Sequence, residues 1–348
     1  VNTRLATDIQ TGEAAFSALQ REWNDLLAKS STDTIFMTWE WQKNWWEWFG
    51  HDEQLYVLTV RDGVELLGLA PLYAPRNDPA RKTLRLVGGV ELSDYLDLLV
   101  ASGAREKATY QALWSCLTGE CAEEWDLLDL HNVPASSPSL EVLRALAEDS
   151  GDFEVAVAVE EICPLIRLPS TWDEYLSSLP KKDRHELRRK LRKANREAVI
   201  DWYYASDRTA LQSEMEDFIA LHVESADPKR AFMDEGRQGF FQSIARATHD
   251  AGWLRLAFLL INNLKASAML CFQYGSAFQV YNSGYDPGLR PDLSSGILLL
   301  SYCIRDSIEQ GLQSFDFLRG EEEYKYRFGA QKAEIFNLRI AKRGSTYV

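Results

Sequence analysis

The sequence predicts two tandem α/β (α+β) domains, each built on a mixed, mostly antiparallel sheet flanked by helices. Three observations carry this. At 348 residues with 46% hydrophobic side chains the chain is longer than one typical domain and can fill two cores. An order of hairpin, strand, helix and strand over residues 55–130 returns over 253–318. The local text repeats as well: "EEWDLLDLHNVP" stands at 123–134 where "LQSFDFLRGEE" stands at 312–322. The boundary expected from Pro169, with Ser170 or Thr171 capping the next helix, divides the chain into 1–165 and 166–348.

In chain order, Phe16, Leu19, Trp23, Leu26 and Leu27 recur at three and four and predict an amphipathic helix over 11–29. Thr38 is the expected cap of a second helix ending at Gly50. Its tryptophans suit either stacking on a ring ligand or packing. Because Trp45, Trp48 and Phe49 share one helical face, packing is expected. Strands follow at 55–60 and 64–73 around an Asp62-Gly63 turn, then at 84–87 and 95–100. A helix over 104–119, a strand over 125–130, a helix over 140–148 and strands at 154–159 and 163–167 complete the first half.

The second half opens with a basic helix. Lys181 to Arg196 carries Leu187, Leu191 and Ala194 as a narrow apolar stripe, so one side docks and the others present cations such as Arg188. A strand at 200–204 and a helix at 209–225 come next. His222 lies on the apolar face of that helix and reads as a core residue or as a proton acceptor in a cleft. The stretch "ADPKRAFMDEGRQGF" (226–240) reads as a lid-like loop before a helix over 237–251. Strands at 253–261, 264–274 and 276–285, a Pro/Gly/Ser loop at 286–295, a helix over 296–310 and a strand at 315–318 end the repeat.

Composition narrows the function. Net charge is −14, so nucleic acid or an anionic lipid gets no help from global electrostatics, and the basic helix is an island of positive potential. The five cysteines (116, 121, 163, 271, 303) lack metal-ligand or disulfide spacing and read as buried thiols, with no metal expected. No stretch approaches the roughly 18 apolar residues of a membrane span. With no apolar leader at the start, the expectation is a soluble cytoplasmic protein.

The meander, the loop opening a helix and the final strand at 253–318 resemble the core of the GNAT acetyltransferase superfamily. The pairing of "FDFLRGEEEYKYRFG" (315–329) with "RHELRRKLRKANREAVIDWYY" (184–204) is similar to the CelD-like acetyltransferases of polysaccharide biosynthesis, with Fem-type aminoacyl transferases as relatives. The resemblance implies acetyl-CoA or another acyl-CoA as donor, with its pyrophosphate at Arg290, Ser294, Ser295 and Gly296. The sequence departs from the family there, since only one glycine is present and Asp292 brings a charge that opposes a phosphate. The implied acceptor is a small molecule, an amino sugar or another glycan precursor, and a polysaccharide synthesis machinery is a possible partner. tRNA enters only under the Fem-like alternative, and a non-catalytic binding protein of such a system is the other alternative.

For the chemistry, Asp316 and Glu323 are the carboxylates expected near the site. Asp316 is either a base with a raised pKa or a structural acceptor. Tyr281 and Tyr324 are candidate proton donors to the leaving thiolate. Arg319 and Lys325 are expected to hold an anionic substrate group. From the first repeat, Asp94 and Tyr95, in a turn before a strand, are expected to reach the substrate. Asp316, Tyr324 and Lys325 are expected to converge.

Overall fold

The computed structural model describes residues 5–76 and 82–344. It resolves into two compact units, Val1–Glu161 with Glu334–Val348, and Ile162–Ala333. The last strand therefore returns to the first unit, although the sequence placed everything after residue 165 in the second domain.

The first unit begins with β1 (Ala6–Gln10), α1 (Ala14–Leu27) and α2 (Trp39–Phe49). Thr38 caps α2 by accepting the Trp41 N–H. The buried face of α2 carries Trp41, Trp45 and Trp46, while Trp48 is 39% exposed, so the packing face is turned from the one expected. β2 (Gln54–Asp62), β3 (Glu65–Ala74), β4 (Thr83–Leu86) and β5 (Leu99–Val100) follow, then α3 (Glu106–Thr118) and β6 (Leu127–Pro134). The expected strand at 95–100 shrinks to two residues because Ser93 turns the chain, accepting from the Trp41 indole and donating to the Gly88 carbonyl. α4 (Pro138–Ser150), capped by Ser137, leads into β7 (Phe153–Ile162). The sheet order is β1-β2-β3-β4-β6, then the chain's last strand, then β7, with β5 beside β3.

The second unit holds β8 (Leu165–Arg167), α5 (Trp172–Ser178), α6 (Lys181–Glu197), β9 (Ile200–Tyr204), α7 (Leu211–Ser225), α8 (Asp227–Phe232) and α9 (Glu235–Asp250). Thr171 and Glu174 close a reciprocal capping box at the start of α5, as the sequence predicts for Thr171. The loop expected at 226–240 contains α8, started by Pro228 in the first turn. β10 (Leu254–Ile261), β11 (Leu264–Tyr274) and β12 (Ala277–Tyr285) form the meander, α10 (Ser295–Glu309) crosses over, and β13 (Ser314–Asp316) and α11 (Glu323–Arg327) end the unit. β14 (Glu334–Lys342) then pairs with β6 of the first sheet.

The second sheet runs β8-β13-β12-β11-β10-β9. Only β12 and β13 are parallel, which is why a helix, α10, must connect them. Its core packs Leu298, Leu299, Cys303 and Ile304 of α10 against Phe278 and Phe315, whose rings stack 5.1 Å apart. All five cysteines are free and buried. Among the described residues no helix is long and apolar enough to cross a membrane.

Candidate functional site

The second unit opens a cavity because β12 and β13 pair over only three residues. Their register ends at Gln279 opposite Asp316, after which β13 stops and β12 continues. A bulge helps the two strands part: Leu270 pairs with Asn282 and Cys271 with Val280, so Tyr281 has no opposite residue and the strand bends there. The space that results measures about 660 Å³. Met269, Leu289 and Leu300 give it apolar wall, while Ser283, Ser294, Ser295 and Gly296 line it with backbone and hydroxyl groups.

The N-terminus of α10 forms one wall. Its first N–H groups have no partner within the helix, so they offer donors and a positive end to an anion. Ser294 adopts a left-handed conformation (φ 56°) that turns the chain from the short 3-10 segment Pro291–Leu293 into the helix. A Cβ at Gly296 would meet nothing within 4 Å. α6 supports this loop from outside the cavity. Lys190 Nζ donates to Ser294 Oγ at 2.6 Å, and Lys193 Nζ donates to the Asp292 carboxylate at 2.9 Å.

Asp292, which the sequence set against a phosphate, is not among the cavity-lining residues. Arg290 donates to both its oxygens, and this contact, with the ammonium of Lys193, holds its carboxyl well below the usual range. Arg290 itself spans Asp292 and Glu197 and is not part of the cavity wall.

Lys229 of α8, with Glu322 and Tyr324, also lines the cavity. Lys229 Nζ donates to the Ser283 carbonyl at 2.5 Å. Burial pushes its pKa down, more than the nearby Glu322 carboxylate restores. The Tyr324 phenol is pushed up by burial and by the charge of Glu322, so it stays protonated, and its ring stands edge-on to Phe317. His222 Nδ1–H donates to the same Ser283 carbonyl at 3.0 Å, while its Nε2 is buried without a partner. Burial, then Lys229, lowers the imidazole pKa to about 4, so it is neutral. It sits behind the wall, where α7 presses on β12 at Gly284. A Cβ there would lie 2.3 Å from the His222 backbone nitrogen, so only glycine permits the approach.

Of the residues singled out in the sequence, the cavity gathers Ser294, Ser295, Gly296 and Tyr324. The others lie elsewhere. Asp316 is buried and its Oδ1 accepts the Leu318 N–H at 2.8 Å, fixing a turn in which Leu318 has φ 56° and Gly320 φ 107°. That turn aims its carbonyls inward at Lys325, which is 3% exposed. Lys325 Nζ donates to Phe317, Leu318, Arg319 and Gly320 carbonyls at 3.3, 3.4, 2.8 and 2.9 Å and pairs with Glu322 at 2.8 Å. Arg319 is half-buried and gives that cage a carbonyl. Glu323 is exposed and paired with Arg327 at 2.7 Å, which lowers its pKa. Tyr281 packs against Phe241 and Phe272. Arg188 is on the exposed side of α6. Asp94 and Tyr95 belong to the first unit, Asp94 buried and the Tyr95 ring edge-on to Phe36. Lys229 and Glu322 escaped sequence reasoning. Lys229 sits in a stretch flagged as a lid, but nothing in "ADPKRAFM" shows that its ammonium reaches β12. Among the described residues no three His, Cys, Asp or Glu side chains gather as a metal site.

Two histidines set a pH window for stability. His222 titrates at about 4 in the fold and near 6.5 unfolded, so the unfolded chain binds the extra proton in between. Its contribution is complete above 6.5 and is lost as pH falls through 4, by at most about 3 kcal/mol. In the first unit, burial would lower the His131 pKa, but the hydrogen bonds its ring nitrogens donate to Asp129 and Glu160 raise it to about 9. That contribution is complete below 6.5 and is lost as pH rises through 9. Melting temperature should therefore peak near pH 6.5. His222→Phe should flatten the acid side and His131→Gln the alkaline side, and a wild-type curve flat from pH 4 to 9 would contradict both assignments.

Residues 181–326 match the family described as acetyltransferase (GNAT) domain. Among solved structures, FemX overlays with a TM-score of 0.65 at 13% identity, over 94% of this chain and 96% of that one. L-PGS from Bacillus licheniformis overlays with a TM-score of 0.57 at 9% identity, over 94% and 93%. A tandem GNAT protein from the clavulanic acid biosynthesis pathway gives 0.50 at 13% identity, over 98% and 100%. No curated protein matches. At these identities the overlays speak to fold, and the fold is a tandem of GNAT-like domains.

Proposed function

We propose that this chain is an acyltransferase that moves an acetyl or other acyl group from acyl-CoA to an amine or hydroxyl of an amino sugar or other glycan precursor. The observation that carries the reading is the wall at Ser294–Gly296. Ser295 and Gly296, in the first turn of α10, line a cavity of about 660 Å³, Lys190 donates to Ser294 beside them, and the carboxylate nearest that turn in sequence, Asp292, is turned onto Lys193 and Arg290. A pyrophosphate there would meet donors and positive charge. The acceptor class rests on the resemblance of the 315–329 segment to the CelD-like enzymes of polysaccharide biosynthesis.

In the reaction, the acceptor nitrogen or oxygen attacks the thioester carbonyl and gives up its proton to a carboxylate of the wall, the C–S bond breaks, and the leaving sulfur takes a proton from a donor in the wall. Lys229 and Tyr324 line the cavity as the proton donors, and the lowered pKa of Lys229 lets it give up a proton more readily than an ordinary lysine. Two carboxylates line the wall: Asp286 is taken up by the Gly288 and Leu289 N–H groups, and Glu322 orients the acceptor's N–H or O–H and takes its proton. It takes the place foreseen for Asp316 and Glu323.

Acetyl-CoA should raise the melting temperature of the protein, and Gly296→Glu should abolish that shift. A carboxylate in the first turn of a helix does not harm the fold, and at Gly296 it meets open space, yet it occupies the anion's place. A loss of affinity of roughly tenfold or more, about 1.4 kcal/mol, is expected. Wild-type protein that ignores every acyl-CoA would sink the reading. The Fem-like alternative, transfer from aminoacyl-tRNA, is favoured by one observation: Arg188 and Arg192 of α6 are exposed without an acidic partner among the described residues. Binding of aminoacyl-tRNA that weakens with salt, without acyl-CoA binding, would select it.

A further inference from the structure

β7 is one of the two edges of the first sheet, β1 being the other. At ten residues it is twice as long as β1 or β9, the five-residue strands at two other sheet edges. Edge strands are normally guarded by lysine, proline, a bulge or shortness. β7 (FEVAVAVEEI) has neither lysine nor proline, and residues 156–159 are exposed on both faces. Val157 and Val159 are 39% and 52% exposed, and no other strand among the described residues carries two exposed large apolar side chains. Such a strand offers a row of unused backbone donors and acceptors beside apolar side chains.

Its sequence specifies what would cover it. Residues 154–160 read Glu-Val-Ala-Val-Ala-Val-Glu, the same in both directions. We propose that β7 pairs antiparallel with β7 of a second copy of this chain, about a twofold axis at Val157, so that the two first sheets become one. A twofold interface presents the same patch to itself, and an antiparallel strand pair meets that condition at any register. The palindrome makes one register match residue by residue. Val157 faces Val157, Val155 faces Val159, and Ala156 faces Ala158, so within 154–160 no polar residue stands opposite an apolar one; the mismatch of Phe153 with Glu161 falls beyond that stretch.

The ends of the pair bring Glu154 opposite Glu160, and like charges directly opposed are unfavourable. Glu160 is already engaged, however: its carboxylate accepts from the Asn132 N–H at 2.7 Å and pairs with His131. The valine face also continues into a groove of about 370 Å³ where Val157 meets Leu140, Ala145, Arg144 and Glu148 of α4. Twofold symmetry places the two α4 helices on the same side of the joined sheet, each carrying the Arg144–Glu148 ion pair at the groove.

Light scattering on the purified full chain should give a dimer, and Val157→Lys should give a monomer whose melting temperature is within a few degrees of wild type. It sets two like charges against each other on the axis while replacing a side chain that is already exposed. The register has its own readout. Opposed residues in an antiparallel pair have Cα atoms about 4.5–5.5 Å apart, within reach of a disulfide. Val157→Cys should therefore form a disulfide-linked dimer under mild oxidation, while Val155→Cys and Val159→Cys alone, each facing valine, should link poorly. The native cysteines are buried and give little background. A wild-type monomer well above micromolar concentration would overturn the proposal and leave the edge to a strand of another polypeptide. A dimer that survives Val157→Lys, or that links no better through residue 157 than through 155 and 159, would overturn it as well.

Discussion

Lys325→Met is expected to cost on the order of 3–5 kcal/mol, the usual penalty for removing one member of a buried, fully hydrogen-bonded charged group. In melting temperature that is roughly 10 °C or more for a unit of this size. The reasoning starts at Asp316, whose carboxylate holds the Leu318 N–H and so stabilises a left-handed residue that is not glycine. With Gly320 also at positive φ, four successive carbonyls converge on one point, an arrangement unfavourable unless a cation sits there. Methionine keeps the length of the side chain and leaves those carbonyls without a donor. Glu322 would also lose the ion pair that holds it, and Tyr324, one residue before Lys325, would lose its anchor. Donor binding and turnover should fall with stability. A variant that melts like wild type but is inactive would instead place the ammonium on the substrate, the role the sequence suggested.

Lys325 also shows where reading the sequence stops. The order of hairpin, strand, helix and strand was legible because hydrophobic period and turn residues are local signals. The helix starting at Ser295 and the short strand around Phe315 came out within a residue or two. The place of Ser294–Gly296 at the start of a helix was legible because a Pro/Gly/Ser loop gives way there to an apolar helical period. What one stretch does to another was not. Asp292 read as a repulsive charge because its partners, Lys193 and Arg290, include a helix 99 residues away in sequence. Asp316 read as either a base or a structural acceptor because alternation along the strand tells which face it takes, not that the chain turns at Leu318 and brings that N–H onto its carboxylate. β14 escaped because its partner strand, β6, is some two hundred residues upstream, and "EIFNLRIAK" alone does not say which sheet it joins. Lys229 was missed for the same reason, since its burial depends on where β12 ends.

Lys229→Met is the substitution expected to cost most in turnover, roughly a hundredfold to ten-thousandfold, the range for loss of a positioned proton donor. Two observations put the ammonium to use: it lines the cavity with Tyr324 and the start of α10, and burial lowers its pKa. An ammonium easier to deprotonate than ordinary lysine passes its proton more readily to a leaving sulfur. A structural role is the competing explanation, because Lys229 also ties α8 to the Ser283 carbonyl. That bond is worth about 1.5–3 kcal/mol as a charged donor to a neutral acceptor. His222 keeps the same carbonyl satisfied when Lys229 is gone, which limits the damage. The pH profile separates the two roles. In wild type kcat/KM should fall on the alkaline side below the ordinary lysine value of 10.5, as Lys229 loses its proton. In Lys229→Met that limb should vanish, leaving a low, flat rate. A purely structural lysine would show turnover falling only in step with melting temperature, with the alkaline limb of the remaining activity unmoved. In that case Tyr324 would stand as the proton donor, and Tyr324→Phe would carry the large loss instead.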